Sequence, residues 1–382
     1  MAQGTDEQPN DAGTMHTRLI RVDGEAGELL IGGYAVEQLA GQVTYEEAVY
    51  LLWEGALPNA TQLAVLEQVM AARRWLSSET LDVLRAVAAQ GAEPVDALRT
   101  GASALGPSRH VAAQDTAAQD REDALTAVSS FPTLIAAYSR LRDGREPISP
   151  LPHLGHVANF LYMLAGEEPT AERVQALETY MVTVCDHGIS ASTFAARVII
   201  STGSDLISAV VGAVGALKGP LHGGAPGPVL EMLLGIGEAD LAAGYLQAKL
   251  ERGERLMGFD HRDYRVRDPR AVVLEAAAKR LSEHQGDGGL YALAKHVEGE
   301  ALALLAAYKP GCRLNTNLEF WVAVLLHGVG LPPELFTPTF AAARTAGWAA
   351  HCFEQRAVGR MIQPQTVYVG ERGGRGDAVG EG

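Results

Sequence analysis

A few side chains are of the type, and in the setting, to move protons or hold anions. His222 lies between Lys218-Gly219-Pro220 and Gly223-Gly224, a turn whose glycines let backbone approach a ligand closely. A buried histidine satisfied at a helix end fits the same residues. His261 sits in a glycine-led turn, Gly258-Phe259-Asp260, inside an arginine-rich stretch, where an exposed loop histidine is the plainer alternative. Glu319 follows Asn317-Leu318 at the start of an apolar helix, a place that also suits a carboxylate for its effect on the helix dipole. A carboxylate together with neutral imidazole donors is one way to divide proton work near pH 7.

Anion capture is the second chemistry. Arg252, Arg255, Arg262, Arg265, Arg267 and Arg270 crowd into one short stretch. Guanidinium groups bind carboxylate and phosphate in a bidentate way. Glu251, Glu254, Asp260, Asp263 and Asp268 could equally neutralise them as a solvated face. Arg270 falls in the first turn of a helix, where backbone N–H groups also favour anions. Arg344 lies in an Ala-rich helical stretch and is costly there if buried alone; a structural salt bridge would satisfy it too. His187 could be a core cap. Cys185, Cys352, His327 and His351 read as core packing.

The elements that must position these groups are helices. Thr44-Tyr45-Glu46-Glu47 is a capping box, closed by Gly55 and Pro58. Ser204 is the expected cap of a helix running to Leu217. Asp268-Pro269 starts another, with proline at the first helical position. Leu290–Tyr308, Asn317–His327 and Pro338–Arg356 continue the pattern. Strands are sparse: Leu19–Val22 and Glu28–Ile31 form a candidate hairpin, and Val367–Val369 is a third candidate. No GxGxxG or GxxxxGK loop occurs.

The chain has 382 residues, 47% of them hydrophobic, which is ample for a large core. Its formal net charge of −15 argues against a general nucleic-acid binder. Three cysteines, Cys185, Cys312 and Cys352, form no CxxC pair, so neither a disulfide framework nor a zinc site is expected, in keeping with a reducing cytoplasm. No stretch reads as a signal peptide or a membrane span. Residues 1–16 and 371–382 are expected to be disordered tails, and Met15 is an alternative start.

Four ordered segments resemble the citrate synthase family: Asp186-His187-Gly188-Ile189-Ser190-Ala191-Ser192-Thr193; Lys218-Gly219-Pro220-Leu221-His222-Gly223-Gly224-Ala225; Gly258-Phe259-Asp260-His261-Arg262-Asp263-Tyr264 with Asp268-Pro269-Arg270; and Asn317-Leu318-Glu319-Phe320. Phe336-Thr337-Pro338, Ala343-Arg344-Thr345-Ala346-Gly347-Trp348 and Tyr368-Val369-Gly370 support them, so the resemblance runs from about Ile20 to Gly370. It is closest to the shorter bacterial and archaeal form.

That resemblance implies an all-α fold with a large helical domain, 17–223 and 327–370, a small one, 224–326, and the active site in the cleft between them. It implies a cytoplasmic homodimer whose sites borrow groups from the partner. It also implies a tricarboxylic acid cycle reaction that joins acetyl-CoA to oxaloacetate through an enol or enolate, with no metal and no cofactor beyond the CoA thioester substrate. By resemblance, His222 stabilises the enolate oxygen and is oriented by Ser192. His261 polarises the acceptor carbonyl. Glu319, where the family usually has aspartate, is the base. His187, Arg270 and Arg344 hold the acceptor; Arg265 contacts CoA phosphate and Leu256-Met257-Gly258 wraps the adenine. Departures cluster at the acceptor: Ser190 for Asn, Asp260 for Gly, Asp263 for a small apolar residue, and Gln363 for Arg, with Arg360 a possible substitute. They keep open 2-methylcitrate synthesis from propionyl-CoA and a non-catalytic homologue that binds CoA or a carboxylate.

Overall fold

The computed structural model describes residues 15–106, 116–223, 226–259, 264, 266–286, 288–308 and 314–370. His261, Arg262, Arg265 and Cys312, the expected tails up to residue 14 and from residue 371, and Gly224 lie outside the described residues.

The chain enters through an antiparallel sheet of β1 (Ile20–Asp23), β2 (Glu28–Ile31) and β3 (Tyr34–Ala35), with Ile20 opposite Ile31 and Leu30 opposite Ala35. The expected hairpin is therefore present, extended by a third short strand. Val367–Val369 forms no strand and is exposed. A β-prone run needs a neighbouring ladder, which propensity alone does not supply.

Helices make up the rest. First come α1 (Val36–Leu39), α2 (Tyr45–Glu54), α3 (Ala60–Ala72), α4 (Ser78–Ala89), α5 (Pro94–Ser103), α6 (Thr116–Arg142), α7 (His156–Ala165) and α8 (Ala171–Val184). Then follow α9 (Ala191–Ser201), α10 (Leu206–Leu217), α11 (Pro226–Ile236), α12 (Ala242–Glu251), α13 (Pro269–Gln285), α14 (Gly289–Tyr308), α15 (Leu318–Val329) and α16 (Phe336–Val358). The fold is all-α, as expected. Thr44 accepts the Glu47 N–H while Glu47 reaches back to the Thr44 N–H, closing the capping box of α2. Asp268 caps α13. At α10 the cap is Asp205, not Ser204: its carboxylate accepts the Ser208 N–H at 2.7 Å. Aspartate and serine are comparable caps, so sequence alone could not separate neighbours.

α16 is the axis of the core. Every residue from Ala341 to Cys352 is buried, and the helix packs against α2, α6, α8, α9 and α10. Its small side chains let neighbours approach until they bond its backbone: Tyr45 Oη donates to the Ala342 and Ala343 carbonyls at 3.0 Å, and Trp53 Nε1 to the Ala346 carbonyl at 3.0 Å. Gly347 permits the tightest approach. A Cβ there would lie 2.4 Å from the Cys185 carbonyl oxygen and 3.0 Å from Asp186 Cβ. Gly347→Ala is therefore expected to cost about 1–3 kcal/mol, the usual scale for overpacking. Urea unfolding measures it, and an unchanged midpoint would contradict the close packing of α16 on residues 185–186. A second group of helices, α11, α13 and α15, packs together, with α14 against them and α12; α8 touches both groups. Among the described residues, no single helix is long and apolar enough to cross a membrane.

Candidate active site

A cavity of about 1010 Å³ opens where these groups meet, and His187, His222, Arg270, Glu319, Arg344 and the Leu256–Gly258 turn all line it. The three histidine and carboxylate segments come from distant parts of the chain. His187 follows α8, His222 sits in the turn that closes α10, and Glu319 stands in the first turn of α15.

His222 is half-buried, and its ring is held from one side. Ser192 donates its backbone N–H to Nε2 at 3.3 Å, and the Ser192 hydroxyl lies 2.8 Å from the same nitrogen. Trp348 Nε1 in turn donates to that hydroxyl at 3.1 Å. An amide N–H only donates, so Nε2 is the unprotonated nitrogen and the ring proton sits on Nδ1. Burial, with the nearby Arg344 cation, holds the imidazole pKa below its ordinary value. The ring is thus neutral near pH 7, with Nδ1–H its single donor. Gly223 serves the turn itself: a Cβ would meet the Leu217 carbonyl at 2.5 Å. Its lack of a side chain seats the turn on the end of α10, and ligand access is not needed to explain it.

Glu319 is fixed through its backbone, whose N–H bonds the Asn317 side chain at 3.0 Å. Burial pushes its carboxyl up to about 7; Arg270 opposes that rise, Asp268 adds to it, and Arg344 opposes it. A carboxyl poised near neutrality suits a general base. The Asn317 N–H also bonds the Gly258 carbonyl at 2.9 Å, tying the Leu256–Gly258 turn to the base.

The cations differ in how they are engaged. Arg344 is buried, gives its Nε–H to the Val184 carbonyl at 2.6 Å, and lies over the Phe340 ring at 4.7 Å. It has no ion pair among the described residues, so the salt bridge weighed for it is not formed. Burial lowers its pKa to about 10, partly offset by Asp186, and its guanidinium remains charged to meet an anion. Arg270 forks onto Asp268, with Nε–Oδ1 at 3.0 Å and Nη2–Oδ2 at 2.8 Å. His187 Nε2 lies 3.2 Å from the Tyr264 hydroxyl. Ser190 caps α9 by accepting the Thr193 N–H. Of the arginine stretch, Arg252 and Arg267 pair with carboxylates, as a solvated face would. Arg255 is exposed, lines the cavity and has no ion pair among the described residues. Arg360 and Gln363 are exposed and do not line the cavity.

Sequence reasoning missed Trp348, Phe340 and Tyr264 as site residues. It also misread His327, and it read His351 as core packing without the polar partners that hold it there. His327 is exposed in the last turn of α15, while His351 is buried in a polar chain. There Arg197 donates to His351 Nδ1 at 3.2 Å and His351 Nε2 donates to Asp186 Oδ2 at 3.1 Å. Asp186 Oδ1 accepts the His187 N–H at 2.8 Å. Cys185 and Cys352 are buried free thiols, with burial pushing each pKa up to about 12.

A profile of the family described as "Citrate synthase, C-terminal domain" matches residues 10–365. The chain belongs to the citrate synthase family. It is 40% identical to the citrate synthase of Haloferax volcanii over 93% of each chain. It is 38% identical to the citrate/2-methylcitrate synthase of Bacillus subtilis, covering 93% of this chain and 94% of that one. The citrate synthase of Thermoplasma acidophilum, solved as a ternary complex with carboxymethyl coenzyme A and oxaloacetate, superposes with a TM-score of 0.85 at 28% identity over 96% of both chains. Family membership fits a site built from a neutral imidazole donor, a carboxyl raised toward neutrality and buried guanidinium groups.

Proposed function

We propose that the chain condenses acetyl-CoA with oxaloacetate and hydrolyses the resulting thioester to citrate and CoA. One observation carries the reading: His222, neutral with its proton on Nδ1, and Glu319, raised to about 7, line one cavity. Glu319 takes a proton from the methyl carbon of the thioester. His222 Nδ1–H meets the charge that grows on the thioester oxygen, the role in which fixed donors are worth most. The enolate carbon then attacks the keto carbon of the acceptor, whose oxygen takes up a proton; resemblance assigns that step to His261. Water finally cleaves the thioester and releases CoA.

Arg344, Arg270 and His187 are the acceptor's carboxylate holders in this reading. Arg270 exchanges its Asp268 fork for the substrate, or holds it beside that fork. Arg255 and the Leu256–Gly258 turn take CoA, with Arg265 on its phosphate. A homodimer whose sites the partner completes is part of this reading, and a reducing cytoplasm suits the buried free thiols.

Thiol release with DTNB tests the reading. Acetyl-CoA and oxaloacetate together should release CoA at a rate proportional to enzyme, and either substrate alone should not. Stabilisation by ligand without thiol release, even at high enzyme, would leave a binding protein instead.

A further inference from the structure

The loop that carries His187 is held by one stripe of α16. Arg344, Gly347 and His351 follow one another at spacings of three and four residues, so they share a face of that helix. Each meets a different part of residues 184–187. Arg344 gives its Nε–H to the Val184 carbonyl at 2.6 Å. Gly347 lies so close that a Cβ there would stand 3.1 Å from Asp186 Cγ. His351 bonds Asp186 Oδ2 at 3.1 Å, and Asp186 Oδ1 accepts the His187 N–H at 2.8 Å. Asp186 and His351 are both fully buried, and neither lines the cavity.

The direction of these bonds is set from the far end. A guanidinium only donates. Arg197 Nη1 lies 3.2 Å from His351 Nδ1, so that nitrogen accepts and the ring proton sits on Nε2, facing Asp186. Arg197, on α9, is itself held by Gln355 Oε1 at 3.1 Å and Glu354 Oε2 at 3.2 Å. Arg197 thus pairs with Glu354, whereas Asp186 bonds a ring and an amide and has no ion pair with arginine or lysine among the described residues. The Asp186 charge is left to act on Arg344, whose guanidinium it helps keep protonated. A direct pair between the two would fill donors that an incoming carboxylate needs, and loss of the Asp186 charge would leave a buried cation uncompensated.

We propose that His351 is a positioning residue of the acceptor site: it holds the Asp186 carboxylate where that group fixes the His187 backbone and balances Arg344 without occupying its donors. His351 touches no substrate and acts through Asp186. The inference rests on the reading of His187 and Arg344 as holders of the acceptor's carboxylates.

Two substitutions separate this role from plain packing. His351→Asn places an amide near the position of Nδ1, where it still meets Arg197, and is too short to reach Asp186. His351→Gln is long enough to donate to Asp186. The readings are KM for oxaloacetate, KM for acetyl-CoA and kcat by thiol release, with the urea midpoint beside them. His351→Asn should raise the oxaloacetate KM by about tenfold or more, the scale of one lost hydrogen bond to a charged group. The acetyl-CoA KM and kcat should stay within a few-fold, because His222 and Glu319 lie outside the chain of bonds. His351→Gln should return the oxaloacetate KM to within a few-fold of wild type. A lowered urea midpoint in His351→Asn with its oxaloacetate KM unchanged, or equal losses in both variants, would overturn the proposal. If neither variant folds, nitrogen NMR shifts of the His351 ring in the wild type decide: a proton on Nε2 alone is expected, and a proton on Nδ1 would break the chain. The calorimetric Kd for oxaloacetate makes the same comparison without turnover. A wild type that binds oxaloacetate and releases no thiol would therefore overturn the condensation while His351→Asn still tests the chain; a wild type that binds none would overturn both.

Discussion

Replacing His222 with alanine is expected to lower kcat by about a hundredfold to a thousandfold, the scale seen when one fixed donor to a developing oxyanion is removed. The loss should fall on kcat more than on KM, because the donor is worth most to the enolate and little to the ground-state thioester. The fold should survive. The Ser192 hydroxyl keeps its bond from Trp348, and the turn keeps its backbone bonds from His222 and Gly223 to the Gly219 carbonyl. Unchanged unfolding alongside lost turnover would therefore separate chemistry from stability. A variant whose kcat stays within a few-fold of wild type would remove His222 from the mechanism.

Glu319→Gln should cost at least about a hundredfold in rate, since the amide keeps the shape and cannot accept the proton. The same residue predicts the pH profile. A base works deprotonated, and burial has raised this carboxyl to about 7. The free-enzyme kcat/KM should thus rise with pH, about tenfold per unit below 7, and level off above it. Burial and the Arg344 cation hold the His222 pKa below its ordinary value, so Glu319 is the group expected to titrate at the higher pH and to set where the rise levels off. Glu319→Asp keeps the chemistry with a shorter reach and should retain more rate than Glu319→Gln. An acid limb near the ordinary glutamate value would show that the carboxyl is not desolvated as the structure has it.

What could be read from the sequence was what depends on neighbours along the chain. The α2 capping box and the Asp268-Pro269 start of α13 are local hydrogen-bond patterns, and both stand where the residues placed them. The groups lining the cavity were legible as ordered motifs. Their supports were not. Trp348 and Ser192 are 156 residues apart, and nothing in either segment announces the indole hydrogen bond that holds the His222 partner. His351 looked like core packing because an isolated histidine on an apolar helix carries no sign of Asp186 or Arg197, which meet it only in the fold. His327 erred the other way: α15 is apolar on most sides, and one residue of its last turn faces solvent. The glycines beside His222 suggested room for a ligand, yet Gly223 answers to the end of α10. The arginine stretch divided, with ion pairs for some and the open cavity for Arg255, a choice set by which side each guanidinium faces.

Two groups acting on one thioester should fail as a unit. Single-turnover thiol release, with enzyme in excess over acetyl-CoA and saturating oxaloacetate, measures this in the wild type, His222→Ala, Glu319→Gln and the double variant. The double variant should be little slower than the slower single one. Losses that multiply, or a single variant that keeps most of the wild-type rate, would contradict the convergence of His222 and Glu319 on one reacting carbon and its carbonyl.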